Sequence, residues 1–432
     1  MRIISGKITY TKSDLLFEAK KYIEKYNLSK DGGVLFCSSN RKIDYCILYE
    51  AAIILSVQFC PLPFNKDEKI TRLLAENIKE AGVLVTEKSS HKINESLSKR
   101  NVIGRDIKLI FLTSGSSGRR KLVALNSLNI QSALESIQER LGYKNSDVIS
   151  NMLPMSFDYG FYQYLLAKKS SATLILVDEG YSLIGLKSVI NSKATILPGV
   201  PSMLANIANK ASRLLSKNSI RLITSTGESI RKNLIEDLEN AFPEATIAPM
   251  YGLTECKRVS INADSKGKAK HSVGKPISCC AVEINNPDSR GVGEIIVKGS
   301  NVAESIYYIT DKGLEEIIKN GNVLKTGDFG WFNSDGYLYI EGRKDDLVKM
   351  SGIRVSLREI EDYIYANKLA KNVKAVLINE VVKLYCVDAN LNEAELKMKM
   401  IDDLGHHMNT VDIKFIRDFA LSDNLKFSME SL

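Results

Sequence analysis

Over roughly its first 250 residues the chain alternates short β-rich runs with helix-length amphipathic ones, and that alternation leaves few folds open. AGVLVTE, ATLILVD, ATILPGVP and IRLITSTG read as strands, while SDLLFEAKKYIEKY, EKITRLLAENIKEA and IRKNLIEDLENAF read as helices. Repeated β then α predicts an α/β unit of parallel sheets covered by helices on both faces. Ligand sites are then expected in loops at the carboxyl ends of the strands. After about residue 270 the pattern changes to CAVEIN, GEIIVKG and DGYLYIEGR, strands separated by Gly and Asp turns, which predict a small antiparallel or barrel-like subdomain. From Asp346 a helix (REIEDYIYA), two strands (VKAVLIN, VKLYCVDA), a helix (EAELKMKMIDDL) and a strand (DIKFIRDFA) suffice for a separate α+β unit of about 85 residues. The charged EGRKDD would link it. The expected organisation is therefore a core over 1–342, a linker over 343–346 and a C-terminal unit over 347–432.

Composition narrows the class. Of the 432 residues, 44% are hydrophobic and 25% charged, as in ordinary globular proteins, and no apolar run is long enough to span a membrane. The N-terminal MRIISGKITY has too short an apolar stretch for a secretory signal, so the expectation is a cytoplasmic chain. The net charge of +8 is dispersed rather than gathered into a basic block with interleaved aromatics, which favours small polyanions or an acidic protein partner over nucleic acid. The seven cysteines lie mostly in apolar runs, as Cys37 and Cys386 do, and lack metal-ligand spacing; adjacent Cys279 and Cys280 cannot chelate as a CxxC pair does. His406 and His407 read as surface residues at a helix end.

TSGSSGRRK, residues 113–121, leaves the apolar run IKLIFL with four hydroxyls, two glycines and three successive cations. It is not a Walker loop, because Arg120 stands where the second glycine belongs, and it is not a GxGxxG turn, because Gly115 and Gly118 lack a third partner. A Gly/Ser loop of this kind turns backbone N–H groups and hydroxyls toward phosphate oxygens, with Lys121 adding a full charge. Alone it would read as easily as a polar surface turn.

It does not stand alone. TSTGESI (224–230), MYGLTE (250–255) and the long segment from KTGDFGW to SLREIE (325–361) follow in register. Together the four segments resemble, in order and spacing, the core motifs of the AMP-forming adenylate ligases, the superfamily of acyl-CoA synthetases, peptide-synthetase adenylation domains and luciferases. The resemblance covers nearly the whole chain and implies a large α/β core with a small mobile α+β C-terminal domain. It implies that Thr113, Ser114, Gly115, Ser116, Ser117, Gly118 and Lys121 hold the leaving pyrophosphate of ATP. Gly227 and Glu228 would lie along the adenine and Tyr251, with Gly252 beside it, would stack on the base. Thr254 would bond the α-phosphate, Glu255 would coordinate Mg²⁺, and Asp328 with Arg343 would take the ribose.

These roles support attack of a carboxylate on the α-phosphorus of ATP, giving acyl-AMP and pyrophosphate. Meeting of two anions demands cations and no protein nucleophile, so a Ser/His/Asp or Cys/His constellation is not expected. In the resemblance the bridging cation is a lysine near the C-terminus, which falls on Lys426 in LSDNLKFS, with Leu425 replacing the usual glycine. The C-terminal domain would then rotate about Asp345 and present Lys349, Gly352 and Arg354 to the thiol channel. Ser356 stands where a glutamate is common.

The resemblance further implies an acid pocket that begins in LPMSFDYGFYQYLLA and includes Phe157, Asp158, Tyr162, Gly199, Thr226, Met250 and Arg258. Phe157–Asp158 resembles the FDxSxxE pattern in which the aspartate pairs with a substrate α-ammonium, although Gly160 and Gln163 replace its Ser and Glu. Lys257 and Arg258 follow YGLTEC and read either as ligands of a polar or anionic substrate group or as a solvated turn. The expected substrate is an amino acid or a small polar acid. The acceptor would be the phosphopantetheine arm of a separate carrier protein, favoured by the short N-terminal region, or coenzyme A. A non-catalytic ATP-binding homologue is the reading from another class, and a kinase or general ATPase is disfavoured by the missing motifs.

Overall fold

The computed structural model describes residues 1–29, 33–64, 82–85, 90–93, 106–114, 120–180, 182–214, 218–228, 230–264, 267, 269, 271–310, 313–319, 321–343, 347–350, 353–417 and 419. Gly115, Ser116, Ser117, Gly118, Asp345, Gly352, Lys426 and the EKITRLLAENIKEA segment lie outside the described residues. For Ser114, Lys349 and Arg354 the backbone alone is described, in strands.

Two large sheets carry the N-terminal part. One runs, in spatial order, Lys275–Pro276, Ser260–Ile261, Thr246–Tyr251, Leu222–Ser225, Ile196–Gly199, Val148–Asn151, Thr173–Leu176, Arg2–Ser5 and Ile8–Thr11. Its pairs from Thr246–Tyr251 through Arg2–Ser5 are parallel, as the alternation requires, and antiparallel strands close both edges. The other runs Gly313–Lys319, Ser305–Thr310, Arg120–Asn126, Ile107–Ser114, Gln58–Pro61, Val34–Cys37, Gly82–Val85 and Ser90–Ile93, with parallel pairing only among the strands from Ile107–Ser114 to Gly82–Val85. Among the described residues no helix is long and apolar enough to cross a membrane.

The strand runs expected after residue 270, CAVEIN, GEIIVKG and DGYLYIEGR, share one small antiparallel sheet. Two further strands, Ser305–Thr310 and Gly313–Lys319, lie outside it, and Ser305–Thr310 pairs back onto Arg120–Asn126. Tyr307 and Ile309 thereby enter an apolar cluster with Leu122, Ala124 and Phe36. The small sheet keeps Cys280–Asn285, Gly293–Gly299, Val323–Phe332 and Leu338–Arg343, all antiparallel. Beyond it, the hairpin Leu347–Met350 and Ile353–Ser356, the helix Leu357–Ala366 and a three-stranded sheet enclose a separate apolar cluster centred on Ile360, Ile364, Leu384, Leu396 and Met400. The second helix there, Glu393–Leu404, starts at a reciprocal cap in which Asn392 and Glu395 each take the other's backbone N–H.

The two large sheets are joined through the helix Asp158–Ser170. Its residues from Asp158 to Ala167 are all buried, so it has no solvent face and behaves as a core element. Phe161 stacks on Phe59 at 5.6 Å and meets Tyr49 and Phe111 edge-on at 5.2 and 6.1 Å, linking it to strands of the second sheet. At the opposite ends of the first sheet's strands, Asp147 accepts from Arg221 Nε at 2.8 Å, from Thr195 Oγ1 at 2.8 Å and from the Lys144 amide at 2.7 Å. That carboxylate clamps the amino ends of Val148–Asn151, Ile196–Gly199 and Leu222–Ser225 in register.

Breaking a buried ion pair costs about 3–5 kcal/mol. Because the Arg221 side chain is 35% exposed, solvent screening brings the figure down to about 2 kcal/mol. Arg221→Met is expected to lower the unfolding free energy in urea by that amount near neutral pH. Burial pushes the Asp147 carboxyl up, but the Arg221, Lys144 and Thr195 bonds outweigh it and hold the group below its ordinary value. A depressed carboxyl stabilises the fold above the unfolded-state carboxylate range and loses that share as pH falls through its folded value. The gap between wild type and variant should therefore close in acid.

Candidate active site

A large open cleft lies along the carboxyl ends of the first sheet's strands and is walled on its far side by the small sheet and the C-terminal unit. Thr113, Lys121, Gly227, Glu228, Tyr251, Gly252, Thr254, Glu255, Asp328 and Arg343 all line it, together with Phe157, Asp158, Thr226, Met250 and Arg258. Residues expected from segments more than 200 positions apart are thus brought to one cavity. Tyr162 and Gly199 are buried and do not reach the cleft surface; a Cβ on Gly199 would meet Met203 and Leu204 at 2.5 and 2.8 Å.

On the polar side, Thr113 sits opposite Lys121 in an antiparallel ladder. Lys121 Nζ donates to Glu255 Oε1 at 3.0 Å and lies 5.7 Å from the Tyr308 ring centre. Glu255 belongs to the short helical turn Thr254–Cys256 that follows the strand Thr246–Tyr251. Tyr251, at the end of that strand, donates its hydroxyl to Asp328 Oδ2 at 2.6 Å, and Arg343 Nε donates to Asp328 Oδ1 at 3.1 Å. Asp328 and Arg343 are ladder partners, so the two side chains rise from neighbouring strands. Burial lifts the Asp328 carboxyl above its ordinary value, against the opposing pull of Arg343 and Tyr251. Each of its oxygens has one donor and room for another, which suits it to accept two hydroxyl hydrogens.

The arrangement also fits a hard divalent cation. No group of three or more His, Cys, Asp or Glu that could hold a metal occurs among the described residues. A lone, nearly buried carboxylate such as Glu255 suits Mg²⁺, which takes one or two protein ligands and completes its shell with phosphate oxygens and water.

The acid side is more tightly built. Asp158 opens the buried helix, and its Oδ2 receives Lys257 Nζ at 2.7 Å, with side-chain exposures of 9% and 2%. The carboxylate expected to meet a substrate ammonium is therefore paired with a cation of the chain itself. Lys257 Nζ also lies 4.1 Å from the Tyr162 ring centre, a cation–π contact. Arg258 donates from Nη1 to Thr226 Oγ1 at 2.7 Å and lies over the Tyr159 ring at 5.4 Å, while its buried Nε has no hydrogen-bond partner. Lys257 and Arg258 are not a solvated turn. Burial pulls the Lys257 ammonium down to about 8 against the opposing pull of Asp158, and burial likewise lowers Arg258.

Local backbone geometry explains how two adjacent cations reach the interior. Lys257 adopts φ 41°, ψ −70°, a sparsely populated conformation for a side chain-bearing residue. Gly252 makes room for it, since a Cβ there would lie 2.4 Å from the Lys257 carbonyl oxygen. The two departures from FDxSxxE have packing reasons as well. A Cβ on Gly160 would stand 2.1 Å from the Pro154 oxygen, and Gln163 is buried, receiving the Tyr143 hydroxyl at 3.2 Å and donating to the Tyr159 carbonyl. The Asp158–Lys257 contact joins residues 99 positions apart, and only the adjacency of Lys257 and Arg258 to YGLTEC hinted at it. Tyr308 had no such signal, and Tyr159 lay within LPMSFDYGFYQYLLA without being singled out.

The family model of the AMP-binding enzymes matches residues 52–307, more than half of the chain. The chain is 27% identical over 333 residues to the 2-succinylbenzoate–CoA ligase of Lactococcus lactis, covering 76% of this chain and 70% of that protein. It is 27% identical over 277 residues to bacitracin synthase 1 of Bacillus licheniformis, covering 61% of this chain but 5% of that much longer protein. In structure it is similar to the o-succinylbenzoate coenzyme A synthetase (MenE) of Bacillus subtilis in complex with AMP, with a TM-score of 0.81 at 21% identity over 100% of this chain and 94% of that one. The same protein has been solved with ATP and a magnesium ion. By the family model and the fold together, the chain belongs to the AMP-binding enzyme family and is an AMP-forming acid–thiol ligase.

Proposed function

We propose that the chain activates a carboxylic acid with ATP and passes the acyl group to the thiol of coenzyme A. The observation that carries the first step is the convergence, on one cleft, of the Tyr251–Asp328–Arg343 cluster with the Lys121–Glu255 pair. The acid's carboxylate oxygen attacks the α-phosphorus of ATP, the bond to the bridging oxygen breaks, and pyrophosphate leaves with the electron pair. Asp328 and Arg343 fix the ribose, Tyr251 with Gly227, Glu228 and Gly252 frames the base, and Thr254 bonds the α-phosphate. Thr113, Ser114, the glycine loop through Gly118, and Lys121 hold the departing phosphates. Glu255 would hold Mg²⁺, which would supply neutralisation of charge on the phosphate oxygens. Lys121 pairs with that carboxylate at 3.0 Å, which keeps both groups at the same end of the cleft.

In the second step the thiolate attacks the acyl carbonyl and AMP leaves. Lys426 is proposed to bridge acid and α-phosphate in the first step. Rotation of the unit over 347–432 about Asp345 would then bring Lys349, Gly352 and Arg354 to the thiol. Support for free coenzyme A over a carrier protein comes from relatedness: the similar 2-succinylbenzoate–CoA ligase matches over most of its own length, whereas the bacitracin synthase match is one segment of a long chain.

Acid-dependent ATP/pyrophosphate exchange, followed by thioester formation with free coenzyme A, is the direct test. A chain that exchanges pyrophosphate yet acylates only a phosphopantetheinylated carrier protein would overturn the acceptor. A chain that binds ATP with no acid-dependent exchange would overturn the reaction.

Hydrogen bonds to a charged group contribute about 1.5–3 kcal/mol, so Asp328→Asn is expected to raise KM for ATP by about 10-fold or more. Unchanged KM would remove Asp328 from the ribose. Lys426→Ala should abolish exchange while thioester formation from preformed acyl-AMP continues; equal loss of both would deny it a role confined to the first step.

A further inference from the structure

Among the described residues, the two cations with buried side chains are Lys257 and Arg258, adjacent in sequence and both on the acid side of the cleft. The one buried carboxylate beside them is Asp158. Counting formal charges, Asp158 cancels Lys257 and leaves Arg258 in excess. A buried cation without a counter-ion is costly, and here the guanidinium has only a neutral hydroxyl on Nη1, an aromatic face, and an unbonded Nε. A charge left in that condition marks a place where a ligand completes the pair.

We propose that Lys257 is a built-in ammonium: it fills the position on Asp158 that a substrate amine would otherwise take, and Arg258 is the subsite for a second anionic group, so the acid activated is a dicarboxylate without an amine. This rests on the adenylation reading above and names the substrate class of that site. The strained backbone at Lys257 agrees with it. A φ of 41° on a buried lysine, accommodated by a glycine whose Cβ would strike the same turn, is geometry kept to aim one side chain inward. The aromatic ring 4.1 Å from Nζ closes the remaining side of the ammonium, leaving a substrate amine neither the carboxylate nor the ring. An acid bearing a cation would instead face Arg258 at close range, which rejects it by charge. A neutral monoacid would leave Arg258 unpaired.

The test uses the full chain with Mg-ATP and two matched acid series: succinate, butanoate and 3-aminopropanoate, then phthalate, benzoate and 2-(aminomethyl)benzoate. Acid binding is read by calorimetry in the presence of AMP, and activation by pyrophosphate exchange. In the series that fits the pocket, the diacid should bind and exchange at least 10-fold better than the monoacid, and the amino acid worst. Arg258→Met should cut the diacid's advantage over the monoacid by 10-fold or more. Lys257→Met should raise the amino acid by at least 10-fold and lower the diacid.

Because Lys257→Met leaves Asp158 buried alone, the double variant Lys257→Met/Asp158→Asn serves as its neutral counterpart. It should fold and gain no amine acceptance. An equal gain in the double variant, a diacid preference that survives Arg258→Met, or a wild type that prefers the amino acid would each overturn the proposal. Diacid-selective binding with no exchange would sink the adenylation reading and keep the pocket assignment. Exchange without diacid preference would sink the assignment alone, and absence of both would sink the two together.

Discussion

Everything on the acid side of the cleft depends on the burial of one helix. Asp158–Ser170 carries Phe161 into a nest of rings, Phe59 and Phe111 from the second sheet and Tyr49 from the helix Lys42–Leu55, so the two sheets cannot separate without exposing that cluster. A helix buried all round from Asp158 to Ala167 has no freedom to rotate, because those side chains are already packed. Its first residue is therefore delivered to a fixed point, and that residue is a carboxylate. Asp158 is held where Lys257 meets it by packing forces that have nothing to do with charge.

The cleft then divides by electrostatics. On one side the Tyr251–Asp328–Arg343 cluster and the Lys121–Glu255 pair are partly reached by solvent. On the other, Lys257 and Arg258 are enclosed by aromatic rings. Both sides hang from the strand Thr246–Tyr251 and the turn after it: Tyr251 and Glu255 meet Asp328 and Lys121, while Lys257 and Arg258 meet Asp158 and Thr226. A turn of a few residues thus serves both sides of the cleft, and Gly252 is what lets the turn close.

Much of this was legible in the chain. The parallel sheets, the late antiparallel strands and the helix Glu393–Leu404 follow from local periodicity and capping, since hydrophobic spacing and an Asn-x-x-Glu start are properties of adjacent residues. The meeting of Thr113, Lys121, Tyr251, Glu255, Asp328 and Arg343 at one cleft was legible through motif order. The return of Ser305–Thr310 to the second sheet was not, because strand pairing across 181 positions leaves no trace in the pattern of either strand. A strand buried on both faces reads the same whichever sheet it joins.

The sequence by itself determined the classes of element, the adenylate-ligase motifs and the presence of two successive cations after YGLTEC, because each is a matter of residue types at short spacing. Only the tertiary structure decided what those cations do. In the sequence Asp158 was an open carboxylate and Lys257–Arg258 could be a wet turn; in the fold Lys257 closes on Asp158 at 2.7 Å and Arg258 is left with charge to spare. The physical reason is that a buried charge is assigned its partner by three-dimensional proximity in a place water does not reach, and sequence spacing carries no record of that distance.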